Sequence, residues 1–495
     1  MTSLWLDEER EIPVDEYAPG SSYDTVVVGA GITGLATALL LARSGMAVAL
    51  LEARAVGAGT TGNTTAKLSL LQGTVLSALR RQYSQKIVAA YVDANREGQA
   101  WLLRHLEDRA VPFQRRDAYT FAVSDGGADH LQTELAVARS VGLEVEAIRD
   151  PGLPFSTRGA LRLPDQAQFN PMDVLQSLAA DFRAHGGVLV EGVRVRGVSG
   201  STIKTDAGAI HADRVVLATG LPILDRGLYF AKLKASQSYA AAFRVPASTR
   251  IPSGMYLSAE SPGRSLRTYP RGDEELLIAG GNGHQVGRVP SPKSRLDELL
   301  GWTRHHFPGA EATHTWSGED YRATNLMPFF GKLPRGRGKI FFATGYNKWG
   351  MSNSIAASLA VTAEILGGQV PWADTIHRRV TSPAGAAAAV ALNADVARTL
   401  VEGWARAELA KPETATETVP AEGDGTIVRR GRKPVAVSTV DGVTCRVSAV
   451  CTHLRGVVSW NDAEKTWDCP LHGSRFTPAG EVLQGPTTER LSAAD

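Results

Sequence analysis

The hydrophobic pattern changes character along the chain. Thr25-Val-Val-Val28 is a short β-branched run that gives way to a glycine-rich turn and then to an apolar helical stretch from Leu35 to Ser44. Gly45 stands where a helix C-cap belongs, and Ala47-Val-Ala-Leu-Leu51 supplies a second strand. Strand-like runs end in glycine again at Val215–Gly220 and Phe342–Gly350, the latter leading into an apolar helical run from Ile355 to Leu366. Alternation of this kind predicts an α/β domain. From Pro383 an alanine-rich helical stretch reaches Ala410, and Lys411 to Glu422, rich in Pro, Thr and Glu, reads as a linker. Beyond Gly425, runs such as Thr426–Val428, Val435–Val437 and Val443–Val447 alternate with turn residues, as in a small antiparallel all-β domain. No internal repeat is evident.

At 495 residues and 43% hydrophobic content, the chain can bury large cores and should divide into two or three domains. A net charge of +2 asks for neither nucleic acid nor a charged membrane surface, and pairs such as Arg378-Arg379 and Arg429-Arg430 read as solvated faces. The longest apolar stretch, Leu35 to Ala42, is too short to span a bilayer, and the acidic N-terminus lacks the features of a signal peptide. The expectation is a cytoplasmic protein without a membrane span. Dimerisation stays open.

Chemistry enters most sharply near the C-terminus. Cys451-Thr-His453 and Cys469-Pro-Leu-His472 pair one thiol with one imidazole twice, which suits a two-iron cluster with two thiolates on one iron and two imidazoles on the other. The competing possibility is tetrahedral zinc, but zinc sites usually pair Cys with Cys and His with His at short spacing, and neither pairing occurs. Of three cysteines only Cys445 remains, so the loaded protein can form no internal disulfide, which fits a reducing compartment.

The second motif is Gly29-Ala-Gly31-Ile-Thr-Gly34 between the first strand and helix, with Glu52 ending the second strand. A dinucleotide site needs this context: Gly29 makes the turn, Gly31 admits the pyrophosphate and Gly34 lets helix and strand touch. Glu52 would bind the ribose hydroxyls and would repel the 2′-phosphate of NADP. Gly280-Gly-Asn-Gly283 lacks a following helical pattern, so a separate nicotinamide domain is not expected. Backbone amides around Gly350-Met351 can sit at a helix N-terminus and stabilise negative charge.

These motifs carry two resemblances. Cys451–Gly456, Cys469–Phe476 and Gly485-Pro486 resemble the cluster loops and proline loop of Rieske domains. Ala58–Lys67, Val215–Gly220 and Phe342–Gly350, with Gly186–Glu191, Trp316–Asp320 and Met327–Gly331, resemble segments of the D-amino-acid oxidase, glycine oxidase and sarcosine oxidase superfamily over residues 23 to about 370. The fold implied is an α/β FAD-binding Rossmann-like domain with an interleaved mixed-sheet substrate domain, plus a small all-β Rieske domain. Its expected divisions are an N-terminal extension (1–22), the flavin part (23–370, with FAD pieces near 23–80, 155–225 and 335–370), helix and linker (371–415) and the Rieske domain (416–495).

The resemblance further implies non-covalent FAD, since the histidine that attaches flavin in some relatives is here Asn63, and a Rieske-type 2Fe-2S cluster. The expected cofactor contacts are Gly29, Gly31, Gly34, Glu52, Thr61, Lys67, Thr219, Gly220, Gly345, Gly350 and Met351, and the metal ligands are Cys451, His453, Cys469 and His472. Lys67 would place a cation beside the flavin. Candidates for substrate contact are Arg267, Tyr269, His284 and Lys348, with Arg322 and Asn347 on similar segments. Ser474 could donate toward cluster sulfur, and Phe476 replaces a tyrosine hydroxyl, so a low to intermediate potential is expected. The Glu275–Ile278 strand carries no lysine, which favours dehydrogenase over oxidase. The implied reaction is oxidation of a C–H bond beside nitrogen in an amine or imino acid, with electrons leaving FAD through the cluster to an external one-electron carrier such as a ferredoxin. Two alternatives stay open: electrons entering through the cluster, and an electron-transfer or redox-sensing protein without a turnover substrate.

Overall fold

The computed structural model describes residues 1–8, 10–412 and 419–494. The middle of the expected linker, 413–418, lies outside the described residues.

The β-branched run becomes the strand Ser22–Val28, central in an eight-stranded sheet. It pairs in parallel with Val48–Leu51 on one side and Gly208–Leu217 on the other; Ile340–Thr344 and Val188–Val190 extend the parallel order. Val26, Val27 and Val28 are buried, as continuous apolar strands of a parallel sheet covered on both faces should be. The helix after the turn is Ile32–Arg43, so Gly34 lies inside its first turn rather than ahead of it. Gly45 follows with φ +86°, a left-handed turn that frees the chain to enter the next strand. Helices Pro171–Ala184 and Gly350–Ile365 pack beside Ile32–Arg43. One expected FAD piece needs correction: the strand Gly159–Phe169 joins the second sheet, because its partner is Phe113–Ala122.

The second sheet has nine strands. Its long antiparallel members are Leu233–Arg244, Glu274–Gln285 and Glu311–Ala323, and Gly280–Gly283 lies within one of them. This sheet lies over the loop after the first sheet's second strand: a side chain at Gly318 would meet the Asn63 carbonyl at 2.9 Å. The N-terminal extension straps the same loop from outside, with buried Trp5 donating Nε1–H to Thr64 O at 2.6 Å.

The C-terminal part holds a three-stranded sheet (Gly425–Arg430, Lys433–Val440, Val443–Ser448) and a four-stranded sheet (Ser459–Asn461, Thr466–Asp468, Arg475–Phe476, Val482–Gln484). Helix Pro383–Glu408 connects the halves, capped by Ser382, whose Oγ accepts from Gly385 N at 3.0 Å. Val396, Leu400, Trp404 and Ala407 pack on the C-terminal core. By length and composition alone this helix is long and apolar enough to cross a membrane, though it contains no long uninterrupted apolar run.

Candidate functional site

The cavity at the C-terminal ends of the parallel strands has a volume of about 320 Å³. Gly29, Gly31, Glu52, Thr61, Thr219, Gly220, Gly345, Gly350 and Met351 line it. The glycines are required by space. A Cβ at Gly29 would meet Ala218 O at 2.7 Å, and one at Gly34 would meet Gly29 O at 1.8 Å. Gly34 therefore does not touch the cavity but seats the helix on the turn. Glu52 accepts from Ala30 N at 2.8 Å and Arg54 N at 2.9 Å, which fixes its carboxylate at the strand end. Gly350 opens its helix, so the Gly350 and Met351 amides sit at a helix N-terminus on the cavity wall. This backbone cradle fits the dinucleotide of FAD.

The remaining candidates separate. Lys348 lines the cavity, donates from Nζ to Ser238 Oγ, and its backbone N–H donates to Asp320 Oδ2 at 2.6 Å. Burial pushes the Asp320 carboxyl up to about 6 and lowers the Lys348 ammonium. Arg267 is away from the cavity. It is fully buried, donates from Nη1 to the carbonyls of Thr65, Ala66 and Phe169 at 2.7, 2.9 and 3.2 Å, and faces the paired rings of Trp5 and Tyr269, 5.4 and 5.9 Å from their centroids. Tyr269 meets Asn170, and His284 sits behind the wall with Nε2 3.2 Å from the Tyr239 hydroxyl. Arg322 is exposed, and Asn347 is spent on backbone, accepting from Ala323 N and donating to Leu326 O. Lys67 is not on the cavity wall but against Ser265, and burial with Arg267 nearby pushes it down to about 7. The lysine expected beside the flavin thus stands off the cavity wall, in a setting that disfavours its charge.

Cys451 and Cys469 are 1% and 2% exposed and come from two loops of the small domain. The two thiols are close enough to perturb each other: the neighbouring Cys469 lowers the Cys451 thiol, and Cys451 together with burial raises that of Cys469. Burial drives His472 down to about 3, so its imidazole is neutral, and its buried Nδ1 has no partner in the described structure. Two ionisable thiols and a neutral imidazole with a free nitrogen are the donors a Rieske cluster takes. Ser474 is fully buried close enough to Cys451 to lower its thiol.

Sequence reasoning missed that the two sites share walls. Leu483, Gln484, Gly485, Thr487 and Thr488, around the proline loop, line the nucleotide cavity beside Arg54, Val193, Arg194 and Val195. Arg194 donates to Val482 O at 2.9 Å, and Arg288 to Pro470 O at 2.7 Å. Glycines mark the contact from both sides. A Cβ at Gly287 would meet Asp468 O and Pro470 N at 2.9 Å, and one at Gly473 would meet Ala235 Cβ and Glu319 Oε1 at 2.4 Å. Glu319 is 1% exposed, and burial raises it to about 8 despite nearby Arg475. No local motif announces such contacts.

A nucleotide cradle at a parallel sheet, joined to a Cys2His2 two-iron pocket, defines a flavin and iron–sulfur oxidoreductase. The chain belongs to the FAD dependent oxidoreductase family, matched over residues 24–364, and carries a Rieske [2Fe-2S] domain matched over 411–494. FAD and a Rieske 2Fe-2S cluster are its cofactors. Among its relatives is a Bacillus subtilis (strain 168) protein provisionally described as the Rieske 2Fe-2S iron-sulfur protein YhfW, 29% identical over 95% of this chain and 93% of that one. Gamma-glutamylputrescine oxidoreductase of Escherichia coli (strain K12) is 24% identical over 72% of this chain and 86% of its own. The crystal structure of glycine oxidase from Geobacillus kaustophilus superposes with a TM-score of 0.60 at 20% identity, covering 73% of this chain and all of that one, which shows a shared fold.

Proposed function

We propose that the protein oxidises the C–N bond of an amine or amino-acid-like substrate and delivers the electrons one at a time, through its Rieske cluster, to an external carrier such as a ferredoxin. FAD would accept an electron pair from the substrate, and the cluster would exchange single electrons. The observation that carries this reading is the shared wall: residues 483–488 of the Rieske domain line the same cavity as Gly29 and Gly31. Two cofactors that worked separately would not need one cavity built from both domains. The substrate class is supported by the gamma-glutamylputrescine oxidoreductase relative and by the glycine oxidase fold.

In this reading Gly29, Gly31 and Thr61 admit the pyrophosphate, Glu52 holds the ribose, and Gly350 and Met351 turn amides toward developing negative charge. FAD is held without a covalent bond, with Asn63 bonded instead to Gly59 O at 2.8 Å. Lys348, Ser238 and Asp320 are the polar groups at the reacting end. A substrate carboxylate would meet Lys348, and Asp320 would hold its amine or take its proton, because a carboxyl raised to about 6 exchanges protons near neutral pH. Arg267 and Tyr269 brace the sheet beneath. The enzyme acts as a dehydrogenase.

The experiment is an anaerobic titration of the loaded protein with secondary and tertiary amines and imino acids, following flavin absorbance together with the cluster's paramagnetic signal. Bleaching of flavin followed by growth of the cluster signal is expected. If no amine reduces either centre while reduced ferredoxin fills the cluster and then the flavin, electrons run inward and the proposal fails.

A further inference from the structure

Both imidazoles of the cluster pocket are covered, and the cover belongs to the flavin half. The His453 and His472 rings lie 5.2 Å apart, and Phe230 stands edge-on to them at 5.3 and 5.0 Å. His453 Nε2 lies 3.1 Å from Asp225 Oδ1. That contact fixes the tautomer: Nε2 carries the hydrogen that Asp225 accepts, and Nδ1 is left for iron, the same nitrogen that is unpartnered in His472. The His453 side chain is 7% exposed, whereas that of Asp225 is 50% exposed. A carboxylate that water could serve on one side is thus held against a buried ligand on the other.

Asp225 and Phe230 share a loop with the cavity wall. The strand Gly208–Leu217 runs into Thr219, Gly220 and Ile223, which line the nucleotide cavity, and the chain then reaches Asp225 and Phe230. One short segment touches both cofactor sites.

We propose that Asp225 sets the potential of the cluster from across the domain boundary: by accepting the Nε2–H of His453 it lowers the midpoint potential, and does so only while the two domains are docked. A carboxylate partner makes an imidazole a stronger donor and so favours the oxidised metal. An electron added to the cluster also places negative charge on the side of the buried His453 that faces the Asp225 carboxylate, which disfavours the reduced form. Coupling of this kind is reciprocal, so a contact that lowers the potential is one that reduction loosens. At the cluster the step would be a bare electron transfer: one electron would arrive and the external carrier would remove it, with no bond made or broken at His453 or Asp225. Asp225 is a positioning residue that acts through His453. The inference rests on the reading that flavin and cluster work together in one chain.

The test is a mediator titration of the full-length loaded protein, read by the cluster's paramagnetic signal, comparing the wild type with Asp225→Asn and Asp225→Glu. The amide keeps the size but is a weaker acceptor, and the expected result is a tenfold shift of the one-electron equilibrium toward reduction, ~59 mV upward. Asp225→Glu should restore most of the lower potential. On reduction, hydrogen exchange in residues 223–230 should rise in the wild type and not in Asp225→Asn. An unchanged potential in Asp225→Asn at full iron content overturns the proposal, as does a loss of cluster in which the remaining centres keep the wild-type potential. Mediators supply the electrons, so the outcome is independent of any substrate. Amine-driven reduction of the cluster in a variant of unchanged potential sinks this inference alone, whereas a shifted potential with no amine-driven reduction sinks only the proposed function.

Discussion

The two cofactor sites are built by opposite means. The FAD cavity is mostly backbone: glycines whose Cβ positions are already filled, a helix N-terminus, and one fixed carboxylate, gathered from segments as far apart as Gly29 and Thr488. The cluster pocket is four side chains on two neighbouring loops, with little room for substitution and none for a missing ligand. A backbone site tolerates many side chains but depends on distant segments arriving together. A side-chain site is local in sequence but fails with a single change. The contact between them adds a third regime, in which Gly287 and Gly473 serve shape alone.

Breaking the local site should give the largest effect. Cys469→Ser removes a metal ligand and should lower iron content by at least about tenfold, while FAD content, read from absorbance after denaturation, stays near wild type. Loss of both cofactors together would show that the sites are not separable. Next comes the cradle. Gly34→Ala drives a methyl to 1.8 Å from Gly29 O and should cost about 3 kcal/mol by the strain it imposes, seen in denaturant melts together with loss of FAD and retention of the cluster. Gly287→Val attacks only the boundary: φ is +67° and a Cβ already meets Asp468 O and Pro470 N at 2.9 Å. Both cofactors should remain, destabilisation should be about 1–3 kcal/mol, and hydrogen exchange in residues 468–473 should rise.

A separate prediction concerns pH. Burial raises Glu319 in the folded protein to about 8, against 4.5 for the free group. The folded state keeps this proton where the unfolded state has lost it, so stability should fall as pH rises from about 4.5 to 8 and level off above. Glu319→Gln mimics the neutral acid, removes that slope and raises the melting temperature at pH 8 relative to wild type. Thermal melts from pH 5 to 9 check this, and parallel curves for the two proteins would mean that Glu319 is ionised in the folded state.

Much of the fold was legible because its signals are local. The Thr25–Val28 run, the glycine turn and Glu52 each act within a few residues, and so do the pairs Cys451/His453 and Cys469/His472. Arg267 and Lys67 were misjudged for a physical reason: an arginine or lysine on a pocket-like segment reads the same whether it faces a ligand or is absorbed by backbone carbonyls, as Arg267 is by Thr65, Ala66 and Phe169. Lys348 and Arg322 came from similar segments, yet only Lys348 reaches the cavity. The strand Gly159–Phe169 went to the second sheet because its pairing with Phe113–Ala122 depends on a partner more than thirty residues upstream.

The amino-acid sequence by itself determined both cofactors, because a dinucleotide needs glycine at three spaced positions beside a strand, and a two-iron centre needs particular donor atoms at short spacing. Only the tertiary structure decided that the Rieske loops complete the nucleotide cavity, that Glu319 is buried at the boundary, and that Asp225 meets His453. Those are contacts between residues more than 150 positions apart. They are fixed by the mutual fit of folded surfaces, which no local pattern of side chains encodes.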